Sequence, residues 1–85
     1  MNKILKFGAS WCSGCISTTR TIETLTEEQK ANIIDYDVDK CDKDIIAKYN
    51  IRGVPALVVL NDSGGVIKTV VGNQTKKQIV DLLEM

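Results

Sequence analysis

Eighty-five residues bound this chain to one small domain, residues 1–85, and a hydrophobic content of 44% is enough to build a core. Eleven basic residues balance eleven acidic ones, so no global field attracts nucleic acid or an anionic lipid surface, and the longest basic cluster, Lys76-Lys77, reads as a solvated helix face. No apolar stretch is long enough to span a membrane or to form an N-terminal signal sequence, so a cytoplasmic, reducing compartment is expected.

Residues 3–7, containing Ile4-Leu5-Lys6-Phe7, read as the first strand. Residues 12–28 read as one helix with Ile16, Ile22 and Leu25 on one face, although its five threonines lower its helix propensity. From 32 to 38 the chain alternates: Ile34, Tyr36 and Val38 point one way, and Ile33, Asp35 and Asp37 the other, as in a second strand. Asp42 suits the N-cap of a short helix ending near Tyr49. The continuous apolar run from Pro55 to Leu60 has the composition of a buried strand. After the turn cluster Asn61-Asp62-Ser63-Gly64-Gly65, residues 66–71 return as its hairpin partner, and Gly72 ends that strand. Thr75 and Gln78 form a capping box for a last helix whose apolar face is Ile79, Leu82 and Leu83. The order β-α-β-α-β-β-α predicts an α/β fold: a mixed four-stranded sheet with helices on both faces. The first two strands should run parallel, and the last two should form an antiparallel hairpin.

The chemistry concentrates in Trp11-Cys12-Ser13-Gly14-Cys15, at the junction of the first strand and first helix. Unpaired N–H groups and the helix dipole favour an anion there, so a thiolate at Cys12 should be stabilised, and the spacing lets the second sulfur close a small disulfide. The competing reading is a structural zinc knuckle. Zinc in such a site takes four ligands, and three Cys with no His do not supply them, so a redox dithiol with no metal is expected. Cys41 belongs to no pairing motif and reads as an ordinary thiol, with a regulatory or intermolecular disulfide as the alternative. Asp35, Asp37 and Asp39 resemble the start of a calcium loop, but Lys40 replaces the required Gly and Ile46 the final Glu.

Together with Tyr49-Asn50-Ile51-Arg52-Gly53-Val54-Pro55, the W-C-x-x-C segment resembles the thioredoxin family over nearly the whole chain. The family's usual N-terminal strand and helix have no counterpart, which makes the chain similar to small, truncated thioredoxins and, in outline, to glutaredoxins. The resemblance implies a thioredoxin-like fold and a thiol–disulfide oxidoreductase. Cys12 would attack a substrate disulfide, and Cys15 would resolve the mixed disulfide. Pro55 would be the family's cis-proline, and Val54 would pair with a substrate chain by strand addition. Trp11, Ser13, Gly14 and Gly72 would border the same groove. The implied partners are disulfide-containing proteins and a flavin-dependent thioredoxin reductase as electron donor. The chain would work as a monomer, and it need bind no cofactor itself. Two other functions fit the residues: a glutathione-linked, glutaredoxin-like reductase, and a binding subunit without turnover. Without the N-terminal strand, the second strand should be an edge, where acidic residues discourage strand-to-strand association.

Several positions depart from the family pattern. Where a buried Asp is common on the first strand, this chain has Lys6, and where a lysine is common on the neighbouring strand it has Asp35. Lys6 and Asp35 are expected to meet beneath the CxxC loop, with Asp35 or neutral Lys6 as proton acceptor for Cys15, or with charged Lys6 favouring the thiolates directly. The alternative is a pair that reaches the surface and interacts only there. Ser13-Gly14 replaces the usual Gly-Pro and should loosen the loop, and Gly8 stands where an aromatic residue is common, which suggests a less packed floor.

Overall fold

Residues 1–85 are described by the computed structural model. The elements run β1 (Lys3–Gly8), α1 (Ser13–Glu23), α2 (Glu27–Ala31), β2 (Ile33–Asp37), α3 (Lys43–Lys48), β3 (Ala56–Leu60), β4 (Val66–Val71) and α4 (Lys76–Glu84). They build a four-stranded sheet ordered β2-β1-β3-β4. β1 and β2 pair in parallel, whereas β1 with β3 and β3 with β4 are antiparallel. The mixed sheet is thus the one expected, and β2 lies at an edge.

Alternation along the strands divides the core into two layers. Ile4, Leu57 and Val59 join Leu25, Ile79, Leu82 and Leu83 on one face. Leu5, Phe7, Ala56, Val58 and Leu60 form the other, covered by Tyr36, Ile45, Tyr49 and Ile51. Phe7 stacks on Tyr36 with ring centroids 5.1 Å apart. Because Lys6 shares the parity of Ile4, this alternation turns it toward the α1 side, opposite Asp35 in the β1–β2 register.

The helix expected over 12–28 is two helices. Thr24 closes α1, Leu25 leaves the helix to bury in the core, and Thr26 restarts the chain as the N-cap of α2. Thr26 and Gln29 form a reciprocal capping box, the same device that opens α4 through Thr75 and Gln78. A threonine accepts the orphan N–H groups of a new helix better than it fills a helix interior, so the break falls there. The inward face of α1 also differs. Cys15 and Thr18 take the buried positions, while Ile16 is 45% exposed. In the β3–β4 turn, Asn61 Oδ1 accepts from the N–H groups of Ser63 and Gly65 while Gly64 takes φ 85°. Asp42 caps α3 by accepting the Asp44 N–H at 2.9 Å.

Candidate active site

β1 ends at Gly8, and the chain then reaches Cys12, the N-cap of α1. The Cys12 sulfur does what a capping Ser or Asp oxygen does: it accepts the Cys15 N–H at 3.2 Å. Opposite it, the thiol donates to the Val54 carbonyl at 3.6 Å, just before the cis Val54–Pro55 bond. A Cβ on Gly14 would lie 3.3 Å from the Pro55 ring, so Ser13-Gly14 brings the first turn of α1 directly against the proline. Gly72 donates its N–H to the Pro55 carbonyl at 2.8 Å with φ 102°, a conformation that suits glycine, and the space beside it is open. Cys12, Cys15, Ser13, Gly14, Val54, Pro55 and Gly72 are therefore gathered at one end of the sheet.

The two thiols titrate in opposite directions. A hydrogen bond from the Cys15 side chain pulls the Cys12 thiol below its ordinary value, helped by the Cys15 and Gly14 backbone N–H groups and by the charge of Lys6. Burial pushes the Cys15 thiol up, as does its hydrogen bond to Cys12, while the Ala9 backbone and Lys6 oppose the rise. Cys12 is half-buried and Cys15 only 3% exposed. The two sulfurs thus differ in both exposure and acidity.

Beneath Cys15 lies the exchanged charge pair. Lys6 Nζ and Asp35 Oδ1 are 2.9 Å apart, with side-chain exposures of 6% and 69%. The pair forms, but only its carboxylate reaches the surface. Gly8 makes room for this arrangement: a Cβ there would lie 3.3 Å from Cys15 Sγ and 3.6 Å from Lys6 Nζ. The thiol and ammonium thus crowd the spot that a larger side chain would fill. The space directly over Gly8 is taken by these two groups, while a cavity lined by Lys6, Gly8 and Cys15 adjoins it.

Trp11 is 69% exposed and borders an apolar groove of about 400 Å³ with Val38, Ile51 and Val54. Its indole N–H donates to Asp39 Oδ2 at 2.8 Å. Asp39 therefore anchors the tryptophan as well as lying beside the sheet edge, a role its sequence position does not reveal. Thr18 is the second residue missed. It is fully buried, and its hydroxyl lies 2.8 Å from the Gly14 carbonyl and 3.0 Å from Asn73 Oδ1, placed to donate to either. It couples the active turn to the segment after Gly72. Cys41 stays apart as a half-buried free thiol. No cluster of three or more His, Cys, Asp or Glu side chains has the geometry to hold a metal ion. No helix is long and apolar enough to cross a membrane.

Against known proteins, a family model described as Thioredoxin matches residues 1–85. Thioredoxin C-2 of Corynebacterium nephridii is 32% identical over 83 residues, covering 95% of this chain and 75% of the relative. Thioredoxin of Staphylococcus aureus is 33% identical over 84 residues, covering 96% and 79%. Among solved structures, a mutant thioredoxin from Halobacterium salinarum NRC-1 aligns with a TM-score of 0.85 at 35% identity, covering 98% of this chain and 72% of that one. Reduced Schistosoma mansoni thioredoxin aligns at 0.82 with 26% identity, covering 98% and 76%.

Proposed function

Because the chain belongs to the thioredoxin family and carries a thioredoxin-type redox function, we propose that it reduces protein disulfides by a dithiol mechanism run by Cys12 and Cys15. The observation that carries this reading is the opposed setting of the two sulfurs: Cys12 half-buried against the Val54 carbonyl with a lowered pKa, Cys15 buried behind it with a raised one.

Cys12 thiolate attacks one sulfur of a substrate disulfide. The substrate S–S bond breaks, a mixed disulfide forms on Cys12, and the other substrate sulfur leaves as a thiolate that takes up a proton. Cys15 then loses its proton and attacks Cys12 Sγ. The Cys12–Cys15 bond forms as the mixed disulfide breaks, and the second substrate sulfur departs reduced. Two electrons pass from the dithiol to the substrate. Trp11, Ser13, Gly14, Val54, Pro55 and Gly72 line the path by which an extended chain reaches Cys12. Lys6 and Asp35 tune the second step from below. A single domain of residues 1–85 acts as a monomer in a reducing, cytoplasmic setting. A thioredoxin reductase restores the dithiol.

The test is insulin reduction with either NADPH and thioredoxin reductase or glutathione as donor. Turnover with the reductase, lost in Cys12→Ser, is expected. Turnover with glutathione alone would move the chain to the glutaredoxin-like reading, and none with either donor would defeat a reductase.

A further inference from the structure

The cavity beside Cys15 has a volume of about 490 Å³ and is lined by Lys6, Gly8, Cys15, Arg20 and Asp35, among others. It opens on the side of the second thiol away from Val54 and Pro55, which do not line it. Resolution of the mixed disulfide needs Cys15 as a thiolate, yet its burial opposes that charge. Something at this floor must compensate.

We propose that Gly8 and Lys6 form a cationic floor that draws Cys15 toward its thiolate. Asp35 acts as the counter-ion that moderates Lys6, not as the base, and the proton leaves through the adjoining cavity. The inference rests on the dithiol reading above and gives its second step a division of labour.

The geometry separates the two carboxylate roles. A carboxylate that takes a proton from a thiol near neutral pH needs a buried setting that raises its own affinity for protons. Asp35 is 69% exposed, and its Oδ1 is already held by Lys6. Lys6, in contrast, is 6% exposed, so its field is poorly screened by solvent. Gly8 lets ammonium and thiol border one spot, at 3.6 Å and 3.3 Å from it. Burial pushes Cys15 up, and the Lys6 charge pulls it part of the way back. The other charged groups around the cavity are Asp37 on β2 and Arg20 and Glu23 on α1, together with Cys12 across the turn. Lys6 is the buried cation among them.

Positioning by Lys6 and proton transfer to Asp35 predict opposite signs for one substitution. In a Cys12→Ser background, alkylation of Cys15 by iodoacetamide, a neutral reagent, reads its thiolate fraction without requiring turnover. At fixed pH below the Cys15 midpoint, Lys6→Met should slow alkylation by about 3- to 10-fold, one pKa unit being tenfold. Asp35→Asn, which frees the Lys6 charge, should accelerate it by about 2- to 5-fold on the same scale. Lys6→Arg should restore most of the rate that Lys6→Met loses, because it keeps the charge. Gly8→Ala should slow alkylation as Lys6→Met does, but less. The full pH profiles should move in the same senses, upward for Lys6→Met and downward for Asp35→Asn. Asp35→Asn alters an exposed side chain, so its sign is readable even if Lys6→Met fails to fold. A slower or unchanged rate in Asp35→Asn overturns the assignment, as does an unchanged rate in a folded Lys6→Met. An unchanged Gly8→Ala removes Gly8 from it. Insulin reduction by the wild type judges the dithiol reading separately.

Discussion

Cys12 and Cys15 are one helical turn apart and meet two different kinds of wall. Around Cys12 the groups are neutral: a backbone N–H, the Val54 carbonyl, the Pro55 ring and Trp11, which is itself tethered by an exposed hydrogen bond. Around Cys15 they are charged or closely packed: Lys6, its partner Asp35, and Gly8 pressed against the thiol. The first wall is built largely from loops, and it carries Trp11, Val54 and Pro55, through which the chain resembles its family. The second is built from strands β1 and β2, and it carries three of the departures, Lys6, Gly8 and Asp35.

The largest effect should come from removing one sulfur at a time. Cys12→Ser should abolish disulfide reduction. Cys15→Ser should instead leave a long-lived mixed disulfide on Cys12, visible as a mass increase under non-reducing conditions. If Cys15→Ser turned over at the wild-type rate, the two walls would not divide the reaction.

Next in size is the pH contrast. The Cys12 pKa is lowered and the Cys15 pKa raised, so the thiolate of Cys12 is present at lower pH. The rate of first attack should reach half its maximum below the roughly 8.5 of an unperturbed thiol, and brief alkylation near neutral pH should label Cys12 before Cys15. Peptide mapping decides it. Equal labelling would erase the contrast.

Thr18 joins the turn between the cysteines to the segment after Gly72, and Thr18→Val should lower stability by about 1–3 kcal/mol, since the isosteric change leaves Asn73 and the Gly14 carbonyl without that hydroxyl. A shift in the denaturation midpoint measures it. The same variant should loosen the turn holding Cys15 and so slow resolution more than first attack.

How far these features can be read in the sequence depends on the range of the interactions that create them. Strand parity, the Asn61–Gly65 turn and the Thr75–Gln78 box are local, and each is legible in a few consecutive residues. The Thr26–Gln29 box is equally local but lies inside an apparently continuous helical stretch, which hides the split into α1 and α2. The phase of α1 is hidden for another reason. Its inward face carries Cys15, packed close to Gly8, while Ile16 stays 45% exposed, and no periodicity encodes that contact. Trp11–Asp39 and Thr18–Asn73 join positions 28 and 55 residues apart, so only the folded sheet brings them together. Lys6–Asp35 is accessible because parallel pairing of two recognisable strands fixes its register.

The smallest expected effect tests whether the neutral wall depends on its one charged tether. Trp11 is the only tryptophan, so its fluorescence reports this site alone. Asp39→Ala removes the acceptor of the indole N–H, an exposed bond worth about 0.5–1.5 kcal/mol. Global stability should therefore change little, whereas the indole should gain mobility, seen as a fall in fluorescence anisotropy. Because Trp11 borders the groove and does not touch the charged floor, the KM for a protein disulfide should rise a few-fold while the pH dependence of Cys15 stays where it was. A shift in the Cys15 profile of Asp39→Ala would mean that the two walls communicate through the Trp11–Cys12 segment. Unchanged anisotropy with an unchanged KM would mean that packing against Val38 and Ile51 alone holds the tryptophan in place.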